Sequence, residues 1–370
     1  MDRTHHEMSF DTTYRIMRVD RTTGLETGMV HTVLTGGSIS RNQDTAITEQ
    51  ATLDIEGTAL FGADLLRIWA DLDYEDGTTE SIPLGTFLPD GPKRQVTGGE
   101  NTHTPLTLYG RLRELDDDQF TQPVALTAGT NPMTWIEATC TAAGLETAPH
   151  DECTYRMGAA WTFGLGDQKD KSKLDAINEL LDLIGWQSAR TDPYGRVILR
   201  PYEPPTSRSP IWNFQEGPGC RFLRDMTDER DWFDVANQVR VVYASQQKEI
   251  IGVATDTDPD SEFSTIRRGR VIGKTYSYSD MPDRKTDAQL TALANEKAQE
   301  LLATNRSVIH RVTMTHIYAP VTIGDLIHLD YPSGAVAGDF AIRTQKIKLT
   351  AGLPIEAECR QFERTVTHGS

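Results

Sequence analysis

Apolar and polar positions alternate in short runs from about residue 30 to residue 115. HTVLTGGSISRN, AITEQATLDIEG, DLLRIWADLDY, ESIPLGTFLPD and TPLTLYGRLREL are rich in β-branched and aromatic residues, with Gly, Pro, Asn or Asp between them. Ala51-Thr52-Leu53-Asp54-Ile55-Glu56 alternates most clearly, and Glu75-Asp76-Gly77 is the best hairpin signal. Strands at this spacing predict a small barrel or sandwich.

The period then lengthens to that of a helix. Asn131 offers an N-cap with Pro132 at the first helical position. Met133, Ile136, Cys140 and Ala143 share a face, and Gly144 ends the helix. Ser172 caps a second helix with an apolar stripe of Leu174, Ile177, Leu180, Leu181 and Ile184, closed by Gly185. A hairpin turning at Thr191-Asp192-Pro193-Tyr194-Gly195 follows directly. Pro201, Pro204, Pro205 and Pro210 mark the exit.

Strands resume at Gln238-Val239-Arg240-Val241-Val242-Tyr243. A segment from roughly Gln246 to Asn305 interrupts them with a polar loop and one helix. The helix opens on the capping box Thr286 to Gln289 and turns Leu290, Leu293, Ala294, Leu301 and Leu302 inward. SVIHRVTMTHIY, IGDLIHLDYPSG, GDFAIRTQKIKLT and LPIEAECRQF then read as strands. The expected class is mainly β with an α+β part. The map runs as an N-terminal arm (1–25), a first β-barrel (26–115), an α+β spacer domain (116–205), a second β-barrel (206–245 and 306–362) carrying an insertion (246–305), and a tail (363–370).

At 370 residues and 41.2 kDa the chain exceeds one ordinary core, which agrees with several domains. Its 38% hydrophobic and 25% charged residues fit a soluble globular protein. No apolar run approaches the roughly 20 residues that span a bilayer. MDRTHHEMSFDTTYRIMRVD lacks the apolar core of a secretory signal, so the expected site of synthesis is the cytoplasm. A net charge of -17 argues against sequence-specific DNA binding, which needs a basic footprint. Cys140, Cys153, Cys220 and Cys359 form no CxxC and are expected to be reduced, partly buried thiols.

Each candidate for chemistry has a plainer structural reading. Gly269-Arg270-Val271-Ile272-Gly273-Lys274-Thr275 resembles a phosphate loop but has three residues between its glycines where four are needed, and a β-prone run follows. Gly36-Gly37-Ser38-Ile39-Ser40 approaches a nucleophile elbow but lacks the last glycine. Asp256, Asp258 and Asp260 alternate like the start of a calcium loop, yet Ser261 and Arg267 stand at the sixth and twelfth positions. Asp116-Asp117-Asp118 supplies carboxylates that point in different directions. His5-His6-Glu7 lies in the expected arm. His310 and His316 share one strand face, read as a half-buried polar face. The expectation is no catalytic residue, no metal and no cofactor.

Three segments carry a family resemblance. GGSISRNQDTAITEQATLDIEG, leading to IPLGTFLPDGPKRQ and LTLYGRLREL, resembles the first barrel of a tail hub. LDAINELLDLIGWQSARTDPYGRVILRPYEPP is similar to the helix and hairpin with a DxxG-type turn that follows it. NQVRVVYAS with IGDLIHLDYPSGAVAGDFAIRTQKIKLTAG looks like the second barrel with its GD turn. Together they resemble the baseplate hub, or tail hub, proteins of tailed bacteriophages, related to contractile injection machines and type VI secretion spikes. The resemblance runs from about residue 26 to 362.

It implies a non-enzymatic, virion-borne structural protein with two tube-like barrels. A trimer would place six barrels in a ring and join a sixfold tube to a threefold tip. Implied partners are the tail tube or distal tail ring, tip, spike or fibre proteins and the tape-measure protein. DNA would pass only as cargo, through a lumen expected to be acidic. Trp186, Tyr194 and Tyr202 become packing or interface aromatics of the spacer domain. Two alternatives stay open: a tail-associated enzyme that cleaves cell walls, and a glycan binder that stacks sugar on Trp69, Trp135, Trp161, Trp186, Trp212 or Trp232.

Overall fold

The computed structural model describes residues 6, 8–31, 34–56, 61–91, 95–96, 102–158, 160–164, 171–203, 207–231, 235–244, 249–278, 286–305 and 308–363. His5, Glu7, Pro204, Pro205, Trp232 and the expected tail beyond Glu363 lie outside them. The chain opens with strands β1 (Phe10–Val19), β2 (Glu26–Met29), β3 (Leu34–Asn42), β4 (Glu49–Glu56), β5 (Leu65–Tyr74), β6 (Thr79–Pro89), β7 (Gln95–Val96) and β8 (Thr102–Gly110). Helix α1 (Arg113–Asp116), β9 (Val124–Leu126), α2 (Pro132–Ala142), β10 (Trp161–Phe163), α3 (Lys173–Leu183), β11 (Arg190–Thr191) and β12 (Val197–Ile198) follow. The remainder is β13 (Trp212–Gln215), β14 (Phe222–Asp231), β15 (Gln238–Ala244), β16 (Glu249–Thr255), α4 (Thr265–Arg268), β17 (Gly273–Tyr278), α5 (Asp287–Asn305), β18 (Val308–His316), β19 (Leu326–Tyr331), β20 (Val336–Lys348) and β21 (Ile355–Glu363). The protein is mainly β, with its helices in two places.

Two compact units divide the chain, one of residues 1–226 with 314–359, the other of residues 227–313 with 360–370. In the first, strands run in the order β20-β3-β4-β8-β6-β5-β1-β2. Alternation explains this sheet. In β4, Ala51, Leu53 and Ile55 are buried while Gln50, Thr52 and Glu56 are exposed and Asp54 is half-buried. They share one core with Ile39, Leu66, Ile68, Phe87, Leu106 and Leu108. Ile347, Leu349 and Ile355, some 300 residues away in sequence, belong to the same core. The expected second barrel is thus joined to the first by direct pairing, Ile39 opposite Ile347. The expected N-terminal arm contributes β1, which pairs with β5 along its whole length, Phe10 to Val19.

The α+β part has its own core. Leu112 and Leu115 pack with Met133, Ile136 and Cys140 of α2 and with Leu174, Ile177, Leu180 and Leu181 of α3. Asn131 accepts from Met133 N–H to cap α2, and Ser172 with Asp175 forms a complete capping box on α3. Gly144 and Gly185 take positive φ (77° and 72°) to end the two helices.

In the second unit, β15 lies between β16, antiparallel, and β17, parallel. Gln238–Ala244, expected in the second barrel, belongs to this small sheet. Helix α5 covers it through Leu290, Ala294, Ala298 and Leu302, a four-residue repeat; Leu293 and Leu301, expected inward, are half-buried. Alanine at two contact positions brings helix and strand close. A Cβ at Gly252 of β16 would lie 2.2 Å from the Ala294 carbonyl carbon.

Candidate functional site

The hairpin of β11 and β12 is the best-positioned feature of the first unit. Asp192 builds its tip: Oδ1 accepts the N–H groups of Tyr194 and Arg196, Oδ2 accepts Arg196 Nε at 2.7 Å, and Gly195 N–H donates to the Asp192 carbonyl. Gly195 sits at φ 82°, where an L side chain is strained.

The tip docks on the first sheet. Thr86 Oγ1 donates to the Pro193 carbonyl (2.9 Å), and Arg67 Nη2 donates to that of Tyr194 (3.3 Å). The Arg67 guanidinium lies over the Tyr194 ring, 5.1 Å from its centroid, and Trp69 meets that ring edge-on. At the hairpin base, Thr191 Oγ1 donates to Glu49 Oε2 at 3.0 Å. Arg41 Nε donates to the other Glu49 oxygen at 3.0 Å, and Arg41 Nη2 donates to the Leu84 carbonyl. Burial pushes the Glu49 carboxyl upward, and Arg41 opposes that shift.

A second turn lies beside the hairpin. Gly324 takes φ 85°, and Asp325 Oδ2 accepts Thr322 N–H to close the loop before β19. Arg190 Nη1 donates to the Ile323 carbonyl and Arg208 Nη1 to the Gly324 carbonyl, both at 2.7 Å. The DxxG-type turn and the GD turn, both noted in the sequence, are thus fixed against neighbouring elements. Arg41, Glu49, Arg67, Arg190 and Arg208, which do the fixing, carry no local sequence signal.

The remaining sequence candidates fall in separate places. Gly269 ends α4 at φ 63°, and Gly273 to Lys274 enters strand β17. Gly36, Gly37 and Ser38 lie within β3, where a Cβ at Gly37 would come 2.7 Å from the Thr52 carbonyl oxygen. Asp256 accepts from Asp258 N–H and Ser261 Oγ, and Asp258 accepts from Asp260 N–H, a chain of local turns. Asp116 and Asp117 pair with Arg113, and Asp118 pairs with Lys173.

The histidines depart from expectation. His310 and His316, read as a half-buried face, are each 1% exposed, because strand β18 is covered. His310 Nε2 meets Asp228 at 2.5 Å. His316 Nδ1 donates to the Ile317 carbonyl, its ring packs on Phe214, and burial lowers its pKa to about 4. His6 is also buried, against Tyr74 and Tyr318. The thiols of Cys140 and Cys359 are pushed up to about 12 by burial, which leaves them protonated and unreactive. Trp186 packs half-buried on the α+β core, Tyr194 is the docked tip, and Tyr202 is exposed.

No family model matches the chain, and no curated protein does. Solved structures do. The tail protein from Neisseria meningitidis MC58 superposes with a TM-score of 0.64 at 14% identity, over 94% of this chain and 96% of that one. The chain has the fold of this tail protein. The 43 kDa tail protein of prophage MuSo2 from Shewanella oneidensis matches with a TM-score of 0.58 at 9% identity, over 94% of this chain and 98% of that one. A chain of the Francisella PdpA-VgrG complex matches at 0.59 and 7% identity, over 95% of this chain and 53% of that one.

Proposed function

We propose that this protein is a structural component of a phage or prophage-derived tail, forming a hub at the tail tip. The observation that carries this reading is end-to-end likeness: two prophage or tail proteins are matched over more than nine-tenths of both chains. A trimer of this chain would bridge the sixfold tube and the threefold tip, with DNA passing as cargo. Its partners would be the tube or distal tail ring, tip, spike or fibre proteins and the tape-measure protein. No catalysis is assigned. The carboxylates and glycines that first suggest chemistry are engaged in turns, ion pairs and close strand contacts, which supports a structural role.

Native mass spectrometry of the purified chain over a concentration series tests the reading. A threefold species that grows with concentration is expected. A dominant dimer, with its twofold symmetry, would overturn the hub assignment. Zymography on bacterial cell walls provides an independent check: the expected result is no clearing, and clearing would favour the enzyme.

A further inference from the structure

Beside the Gly324 turn, the first unit holds a cavity of about 600 Å³, within the roughly 300–1,000 Å³ range of ligand pockets. Arg190, Arg200 and Arg208 line it together with Asp325, while Leu199 and Ile211 supply apolar wall. Three guanidiniums gathered in one recess are unusual in a chain of net charge -17. They act on one another: burial, then Arg200 and also Arg208, holds Arg190 below the ordinary arginine range, while Asp325 opposes the shift. The half-buried carboxylate among them, Asp325, spends Oδ2 on Thr322 N–H.

Donor capacity is left over. An arginine carries five N–H donors. Among the described residues, Arg190 and Arg208 each make one side-chain hydrogen bond, both to carbonyls of the turn, and the Arg200 side chain makes none. Arg208 Nε is buried without a partner. A buried donor of this kind is destabilising if nothing meets it. The two turn bonds hold Arg190 and Arg208 in place, so the donors are preorganised rather than swinging in solvent.

We infer that this cavity is a carboxylate-binding site that receives a short acidic segment of another protein. Planar guanidiniums match carboxylates in paired hydrogen bonds, and the apolar wall suits the stems of glutamate side chains. The recess is local and flanked by the exposed Asp151 and Glu203, so it suits a short carboxylate segment rather than the continuous phosphate track of a nucleic acid. The inference does not depend on the tail reading, because ligand binding is scored per chain.

Isothermal titration calorimetry of the full chain at low salt tests it with three probes: an N-acetylated, C-amidated tetraglutamate peptide, citrate and a short single-stranded oligodeoxynucleotide. Saturable one-to-one peptide binding that weakens with salt is expected. Arg200→Gln should reduce affinity about tenfold or more with the melting temperature unchanged, since Arg200 is exposed and makes no described side-chain bond. Arg208→Gln should reduce it as well, and Arg200→Lys should recover part of the loss. Absence of saturation, affinity indifferent to both glutamine variants, or binding of citrate or oligonucleotide without the peptide would each overturn the proposal.

Discussion

His316 shows how one buried ring sets a pH dependence. Its Nδ1 is committed to the Ile317 carbonyl, and its Nε2 has no hydrogen-bond partner among the described residues. A proton on that ring would be a charge without solvent, hence the fall from 6.5 to about 4. As pH drops, the unfolded chain takes up this proton first. Stability is therefore full above about pH 6.5 and declines towards pH 4, by roughly 3 kcal/mol over the whole gap. Urea unfolding from pH 7.5 to pH 4 should show a shallower decline in His316→Leu than in the parent. Parallel profiles would refute the assignment. Arg41 and Glu49 make the complementary case, a buried pair in which each oxygen of the carboxylate is used. Arg41→Met strands a buried carboxylate and should cost about 3–5 kcal/mol, much of it recovered by adding Glu49→Leu. Chemical denaturation of the single and double variants measures this, and equal losses would mean that the charge is not the cause.

Among the elements, the hairpin β11–β12 was legible because its information is local. Asp192, Pro193 and Gly195 within four residues specify a turn, just as Asn131-Pro132 and Ser172 to Asp175 specify helix starts. Its docking was not legible, since Thr86, Arg67 and Glu49 lie more than 100 residues away along the chain. Gly195→Ala tests the join. The added Cβ would sit 2.6 Å from Arg111 Cδ at a φ of 82°, combining left-handed strain of roughly 1–2 kcal/mol with crowding of about 1–3 kcal/mol. A loss of at least about 2 kcal/mol in denaturant unfolding is expected. A change under about 0.5 kcal/mol would mean that the tip does not need to lie where it does. The arginine cavity was illegible for the same reason: Arg190 and Arg208 are fixed by the Ile323 and Gly324 carbonyls, more than 100 residues away along the chain.

For the whole molecule, alternation announced a β-rich chain, but partner choice was hidden. Ile39 and Ile347 each read as strand positions, and nothing within either segment states that they pair. The same limit applies to Val239 and Val241, whose pattern fits any sheet and whose actual cover is α5. Two compact units with separate cores follow from these pairings, and they make a prediction about cooperativity. Gly252 lets β16 approach the α5 backbone, and Val253 N–H donates to Asn295 Oδ1 across the same contact. Valine at position 252 meets backbone atoms that cannot rotate away, so it must push helix from sheet. Because that contact lies wholly within residues 227–313, the damage should stay there. Hydrogen exchange of Gly252→Val should then show amides of β15, β16 and α5 exchanging at least tenfold faster, while those of β4 and β8 keep the parent's protection. Equal acceleration in both places would mean that the chain opens as one cooperative body, and the two cores would have to be treated as a single stability unit.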